Sequence, residues 1–275
     1  MVPLTSIATI SVGDHVQTKF LGLTVNVDTL WATGVAMVIV IALGYWLRRQ
    51  VATQPKDRAP RRFQLLWEMG LQTITKQVEG SIGPQGLAII PLAMSLFVFI
   101  LICNAFEVFG LGGRYEFLIV PTSDVNLPAA MALIVIVRVH SASIRARGLG
   151  GYCRHYLTQP FPKILMPFNL FINVVEELAK PITLALRLFG NLFSGALMIS
   201  LIAALGAWEL ASIPIGNVLT LILAVVWKLF DVFLIGPIQA FIFTLLTILY
   251  FDTAMATDHG DEGEELVQVE PAHAH

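Results

Sequence analysis

Five apolar stretches of membrane-crossing length recur along the chain, at residues 30–47, 87–109, 125–143, 168–208 and 213–251. A bilayer core of about 30 Å takes about 20 apolar residues as helix, so each stretch reads as a transmembrane element. The last two are too long for one upright crossing. Each runs for about 40 residues, or about 60 Å of α-helix. A hidden hairpin in either would need a cluster of turn residues. The first of the two offers only Pro181 and the dispersed Gly190, Asn191 and Gly195, and the second only Gly236-Pro237. A single proline bends a helix more readily than it reverses a chain. The pattern therefore predicts two long, strongly tilted, antiparallel helices joined by a short turn near 211–214.

Between the first two stretches, "RRFQLLWEMGLQTITKQVEG" has a different period. Phe63, Leu66, Trp67, Gly70, Ile74 and Val78 return at three- and four-residue steps, which predicts an amphipathic helix on the membrane surface. The fold class is thus an all-α membrane protein: about five membrane-crossing helices, one interfacial amphipathic helix, and a last pair packed as a tilted antiparallel hairpin. The expected divisions are an outside N-terminal segment (1–29), a first transmembrane helix (30–50) and the cytoplasmic-surface helix (61–80). A transmembrane hairpin with an outside loop (87–146), the long tilted hairpin (165–256) and a disordered acidic tail (257–275) complete them.

Composition agrees with the spans. The chain of 275 residues is 56% hydrophobic and 13% charged, about half the charged fraction of a soluble domain. Charge placement then orients it. Arg48, Arg49, Lys56, Arg58, Arg61 and Arg62 crowd one loop, and Arg138, Arg145, Arg147, Arg154 and Lys163 another. The first 29 residues hold only Lys19, and residues 110–128 only Arg114. By the positive-inside rule the N-terminus lies outside and the C-terminal tail in the cytoplasm, which requires an odd number of crossings. Five crossings satisfy every loop. The N-terminus lacks the positive region and small-residue cleavage site of a signal peptide, so the spans themselves are expected to drive insertion. Cys103 and Cys153 make no disulfide framework.

The chemistry lies in a polar line along the fourth stretch. At about 100° per residue, Asn169, Asn173, Glu176, Lys180, Thr183, Asn191 and Ser194 all fall within about 40° of Arg187, with Glu177 flanking them. A helix-centre arginine costs about 2.5–3.5 kcal/mol even on lenient insertion scales. Arg187 has no acid within five residues on either side. Such a stripe must face protein or water. The fifth stretch repeats the arrangement less regularly, with Lys228, Gln239 and Tyr250 on one line and Asp231 beside it.

"KPITLALRLFGNLFSG" resembles the signature of the subunit a family of F-type ATP synthases. "VPTSDVNLPAAMAL", "GLGGYCRHYLTQPF", "PFNLFINVVEELAKP" and "IQAFIFTLLTILYF" resemble further blocks of that family, in the family's order and over most of the chain from about residue 87. The resemblance implies the stator half of a proton channel in a bacterial plasma (inner) membrane, packed against a rotating ring of c subunits. Peripheral-stalk subunits of the b type and, indirectly, the catalytic head are the other implied partners. Arg187 matches the essential arginine between two offset half-channels. Asn191, Gln239, Asp124 and Asn126 match positions of the outside half-channel, with Asp231 towards the same side, and Glu176, Glu177 and Asn173 suit the cytoplasmic exit. Many relatives carry Glu or His where this chain has Ala196, and His or Glu at the position of Val232, so Asp231 is expected to replace that pair. No cofactor or metal is implied.

The competing reading from another class is a secondary transporter with Arg187 binding an anionic substrate. Such folds usually show two related halves with matching broken helices, and this chain has no internal repeat. HExxH, GxSxG and P-loop motifs are absent, so the chain is not expected to be catalytic on its own.

Overall fold

The computed structural model describes residues 17–20, 23–53, 62–108, 120–158, 165–207 and 214–255. The acidic tail and residues 211–213 of the anticipated turn lie outside them. Five helical segments are long and apolar enough to cross a membrane: Val27–Thr53, Gly86–Ala105, Asn126–Arg154, Met166–Leu205 and Val218–Met255. The all-α class with five candidate spans is therefore what the chain adopts. One small element stands outside it. Strands β1 (Gln17–Phe20) and β2 (Leu23–Asn26) pair antiparallel, Gln17 opposite Asn26.

Helix α1 (Val27–Thr53) follows, then α2 (Arg62–Ser81), α3 (Ile90–Ala105), α4 (Asn126–Thr158) and α5 (Met166–Ala207). Helices α6 (Pro214–Phe230) and α7 (Gly236–Met255) end the described chain. The core lies where α3, α4, α5 and α7 meet, around Ile100, Val135, Leu184, Leu188 and Phe243. On α2, Ile74 and Val78 pack against Ala93, Met94 and Val98 of α3 and Ile248 of α7. Its Phe63, Leu66 and Met69 stay exposed. Helix α1 touches the bundle through Ala36, against Cys103 and Phe106. The outward faces of α1, α4 and α5 are apolar, with Trp31, Val38, Ile134, Val137, Ile182 and Leu186 all exposed. Such a surface suits hydrocarbon and would be costly in water.

Two local distortions position polar groups. Between α6 and α7 the chain forms a π-helical turn, Asp231–Ile235, and Gly236 N–H donates back to the Asp231 carbonyl. The cause is in the sequence: Pro237 has no N–H to continue the ordinary ladder, and widening by one residue absorbs the defect. Asn104 Nδ2 then donates to the Gly236 carbonyl across 3.2 Å, tying α3 to the turn.

The second distortion breaks α4 at Gly148, where φ is 71° and ψ 165°. Essentially only glycine enters that region. A Cβ there would meet nothing within 4 Å, so any penalty for substitution is one of backbone conformation. Gly148→Ala is expected to destabilise by about 1–3 kcal/mol, read as a lowered thermal midpoint of the purified protein. An unchanged midpoint would mean the break has another origin.

Candidate functional site

Arg187 sits midway along α5, on the edge of the helix that turns away from the core. Leu184 and Leu188 are fully buried, whereas Thr183, Leu186, Arg187 and Gly190 are exposed. Among the described residues Arg187 makes no hydrogen bond and no ion pair. Asp231, the acid available on the neighbouring segment, does not pair with it. A full positive charge therefore stands on the outer side of α5, with exposed Thr183 one turn before it and exposed Leu186 beside it. Asn191, one turn on, is half-buried. On α7, Gln239 is buried, and its Nε2 has no hydrogen-bond partner among the described residues. A buried amide left unpaired costs about 1–3 kcal/mol.

Asp231 lies on the π turn and is buried, with Oδ2 lacking a hydrogen-bond partner among the described residues. It faces α5 at Gly195. A Cβ built on that glycine would stand 2.6 Å from Oδ2, far inside van der Waals contact. Glycine is thus the residue that lets the carboxylate reach the surface of α5. Ala196, next in sequence, is exposed and points elsewhere. Two further charges are set against Asp231, from Glu107 after α3 and Lys228 on α6. They form an ion pair of their own, Nζ to Oε1 at 3.1 Å, both largely buried. Asn104 bridges this group to the turn Pro121–Ser123, its Oδ1 accepting from Thr122 Oγ1 at 3.4 Å.

Asp124 and Asn126 occupy the next stretch. Asp124 Oδ1 accepts from the Asn126 backbone N–H at 3.0 Å and from Asn126 Nδ2 at 2.8 Å. Its Oδ2 accepts from Asn26 Nδ2 at 2.6 Å and Thr29 Oγ1 at 3.1 Å. Asp124 therefore starts α4 in the manner of a helix cap and fastens α1 to it.

Towards the arginine-rich end of α4, a second polar cluster joins α4, α5 and α7. Lys180 Nζ lies 2.8 Å from Glu177 Oε1 and 3.1 Å from Glu176 Oε1. Its ammonium also stands 5.9 Å from the Tyr250 ring centroid. Glu177 Oε2 is 3.4 Å from His140 Nε2. Asn173 is half-buried on the same helix.

The comparisons decide what these clusters belong to. Residues 30–252 match the family described as ATP synthase A chain, a span that includes every residue just described from Arg187 outward except Asn26 and Thr29. The chain belongs to the ATP synthase A chain family. It is 45% identical over 263 residues to "ATP synthase subunit a" of Acidothermus cellulolyticus, covering 93% of this chain and 89% of that protein. It is 40% identical to "ATP synthase subunit a" of Mycobacterium leprae (92% and 96% covered) and 41% identical to that of Mycobacterium marinum (90% and 94%). As a member of the family, the chain is a multi-pass subunit of the ATP synthase membrane sector, working among other subunits and not catalytic by itself. The transporter reading falls away.

Several polar residues carry no signal in the sequence. Glu107 is a lone acid at the end of an apolar run, and its pairing with Lys228 spans 121 positions. His140 and Tyr152 carry no motif. The one local signal was "GLGG": a glycine needed at positive φ reverses the chain and brings distant residues of α4 together.

Proposed function

We propose that the chain is the stator proton-channel subunit, with two offset half-channels separated by Arg187, against which a ring of c subunits turns. The observation that carries this reading is the exposed Arg187 guanidinium on the outer side of α5, with no hydrogen bond or ion pair among the described residues. A guanidinium does not deprotonate in proteins, so it is a permanent charge at a lipid-grade surface. A carboxylate carried past on another subunit is the partner that removes the penalty. Arg187 then holds that carboxylate ionised and favours release of its proton. The same charge repels a proton that would pass straight from one half-channel to the other.

In this reading protons enter from outside by way of Asp124, Asn126, Asp231, Gln239 and Asn191. They leave to the cytoplasm by way of Asn173, Glu176 and Glu177. The buried Asp231, opened by Gly195, supports its role as the inlet relay in place of the missing pair at Ala196 and Val232. The orientation rests on the arginine-rich loops: N-terminus outside and C-terminus in the cytoplasm of a bacterial plasma membrane. Helix α5, 42 residues long, exceeds the bilayer core about twofold, which supports a tilted α5–α6–α7 pair following a curved ring. Peripheral-stalk subunits of the b type hold the stator against the torque and link it to the catalytic head.

The test is cross-linking in membranes of the assembled complex. Cysteine at Thr183 or Gly190, beside Arg187 on the exposed edge, is expected to cross-link to a ring-subunit helix carrying a cysteine near its membrane carboxylate. Cysteine at buried Leu188 is not. Failure of both outward positions to cross-link in an assembled complex would remove the ring from this face.

A further inference from the structure

We propose that His140 and Tyr152 complete a proton relay in the arginine-rich half of the subunit, with His140 taking protons from Glu177 and returning them to water. The proposal rests on the half-channel reading and adds to it the group that finishes the cytoplasmic exit.

The geometry that makes it starts at Gly148. His140 and Tyr152 are 12 residues apart on α4. In an unbroken helix that separation is about 18 Å along the axis. The glycine at φ 71° turns the chain back, and the Tyr152 hydroxyl lies 3.2 Å from His140 Nδ1. The two rings meet edge to face at 6.0 Å and 88°. This contact fixes the plane of the imidazole and leaves Nε2 3.4 Å from Glu177 Oε2 on α5, within ion-pair distance. Lys180 steadies the other oxygen of the same carboxylate at 2.8 Å. Among the described residues, Glu176 and the Tyr250 ring stand against the same Lys180. Arg147 Nη2 donates to the Thr253 carbonyl of α7 at 3.5 Å.

Each group suits a relay. Glu177 and His140 are partly covered, with side-chain exposures of 20% and 28%, so each keeps part of its surface open. Imidazole is the side chain whose ordinary titration falls within the cytoplasmic pH range, which lets it both accept and give up a proton at useful rates. A proton arriving on Glu177 passes from Oε2 to Nε2, leaving a carboxylate and an imidazolium. The imidazolium returns to neutral by passing its Nδ1 proton to the Tyr152 hydroxyl, which releases its own proton to water. No other species is consumed. The purely mechanical alternative is an ion pair that ties α4 to α5, and it predicts that any cation or hydrogen-bonding side chain at 140 will serve.

The experiment uses inverted vesicles holding the complete synthase, with ATP-driven pumping and ATP synthesis measured against the pH of the cytoplasmic face. His140→Gln is expected to lower turnover by about a hundredfold, the lower end of the range usual for a lost acid–base group. It should also flatten the pH profile that the wild type shows. His140→Gly is expected to regain turnover when imidazole is added to the cytoplasmic side, and His140→Arg, which keeps a charge but cannot turn neutral near pH 7, stays slow. Tyr152→Phe removes one hydroxyl and should shift the profile with assembly intact, so the proposal can be read even if substitutions at 140 impair assembly. Normal turnover with an unchanged profile in His140→Arg or Tyr152→Phe would overturn it. So would an assembled His140→Gly complex that imidazole does not rescue. Arg187→Ala in the same vesicles separates the two levels: if it also keeps synthesis, the half-channel reading fails; if only the His140 variants are normal, the relay alone fails.

Discussion

Arg187→Ala is expected to abolish proton-driven ATP synthesis while leaving the subunit inserted and assembled. The side chain contributes no hydrogen bond or ion pair to its own fold among the described residues, so its removal takes nothing from the core around Leu184 and Leu188. Insertion of the span becomes easier by about 2.5–3.5 kcal/mol. Function bears the loss, because a fixed charge aimed at a carboxylate in a water-poor site is worth about a hundredfold to a thousandfold in rate when deleted. A second consequence has the opposite sign. Without the positive charge nothing repels protons between the half-channels, and passive proton leak through vesicles stripped of the catalytic head should rise. A proton falling through 100 mV releases about 2.3 kcal/mol, so each one that leaks is lost to the several needed per ATP. Assayed together, synthesis and leak discriminate sharply: retained synthesis with no added leak would refute the proposed role of Arg187.

The second large effect is expected at Asp231. Asp231→Asn keeps the shape of a buried side chain on the π turn but removes its ability to take and release a proton. ATP-driven pumping should fall by about a hundredfold or more. The ion pair of Lys228 and Glu107 at 3.1 Å should survive, so the complex is expected to assemble normally. Gly195→Ala supplies an independent approach to the same carboxylate. Its new Cβ would fall 2.6 Å from Oδ2, so Asp231 must rotate away or α5 must shift. Pumping is expected to drop in this variant as well, although no titratable group has been touched. Wild-type pumping in both variants would leave the inlet without Asp231, and a drop only in Gly195→Ala would point to helix spacing as the cause.

The fold class was legible in the sequence because the bilayer imposes a length and a polarity on every crossing helix. A run of apolar residues declares itself without knowledge of its neighbours. Arg187 was legible for the same reason: a charge where the solvent forbids one stands out on a single line of residues. The line through Asn169, Asn191 and Ser194 needed only the helical period. The hairpin of β1 and β2 was missed because four-residue strands carry little period against the long apolar runs that follow.

What joins α3 to α6, or α4 to α5, has no period. Glu107 finds Lys228 across 121 positions, and nothing at either position announces the other. His140 reads as a solitary polar residue until Gly148 folds Tyr152 back onto it. The local rule, that glycine tolerates positive φ, is in the sequence, but the direction in which the chain then turns depends on what α5 offers for packing. Gly195 shows the same division. By itself it is a small residue in a helix; only the packing of α5 on the π turn makes it the opening for Asp231. The sequence by itself determined the membrane class, the five spans and the out-of-place arginine, since each follows from how single segments partition into lipid. The tertiary structure alone decided which acids, bases and glycines meet, because those contacts depend on the relative rotation and register of helices far apart in the chain.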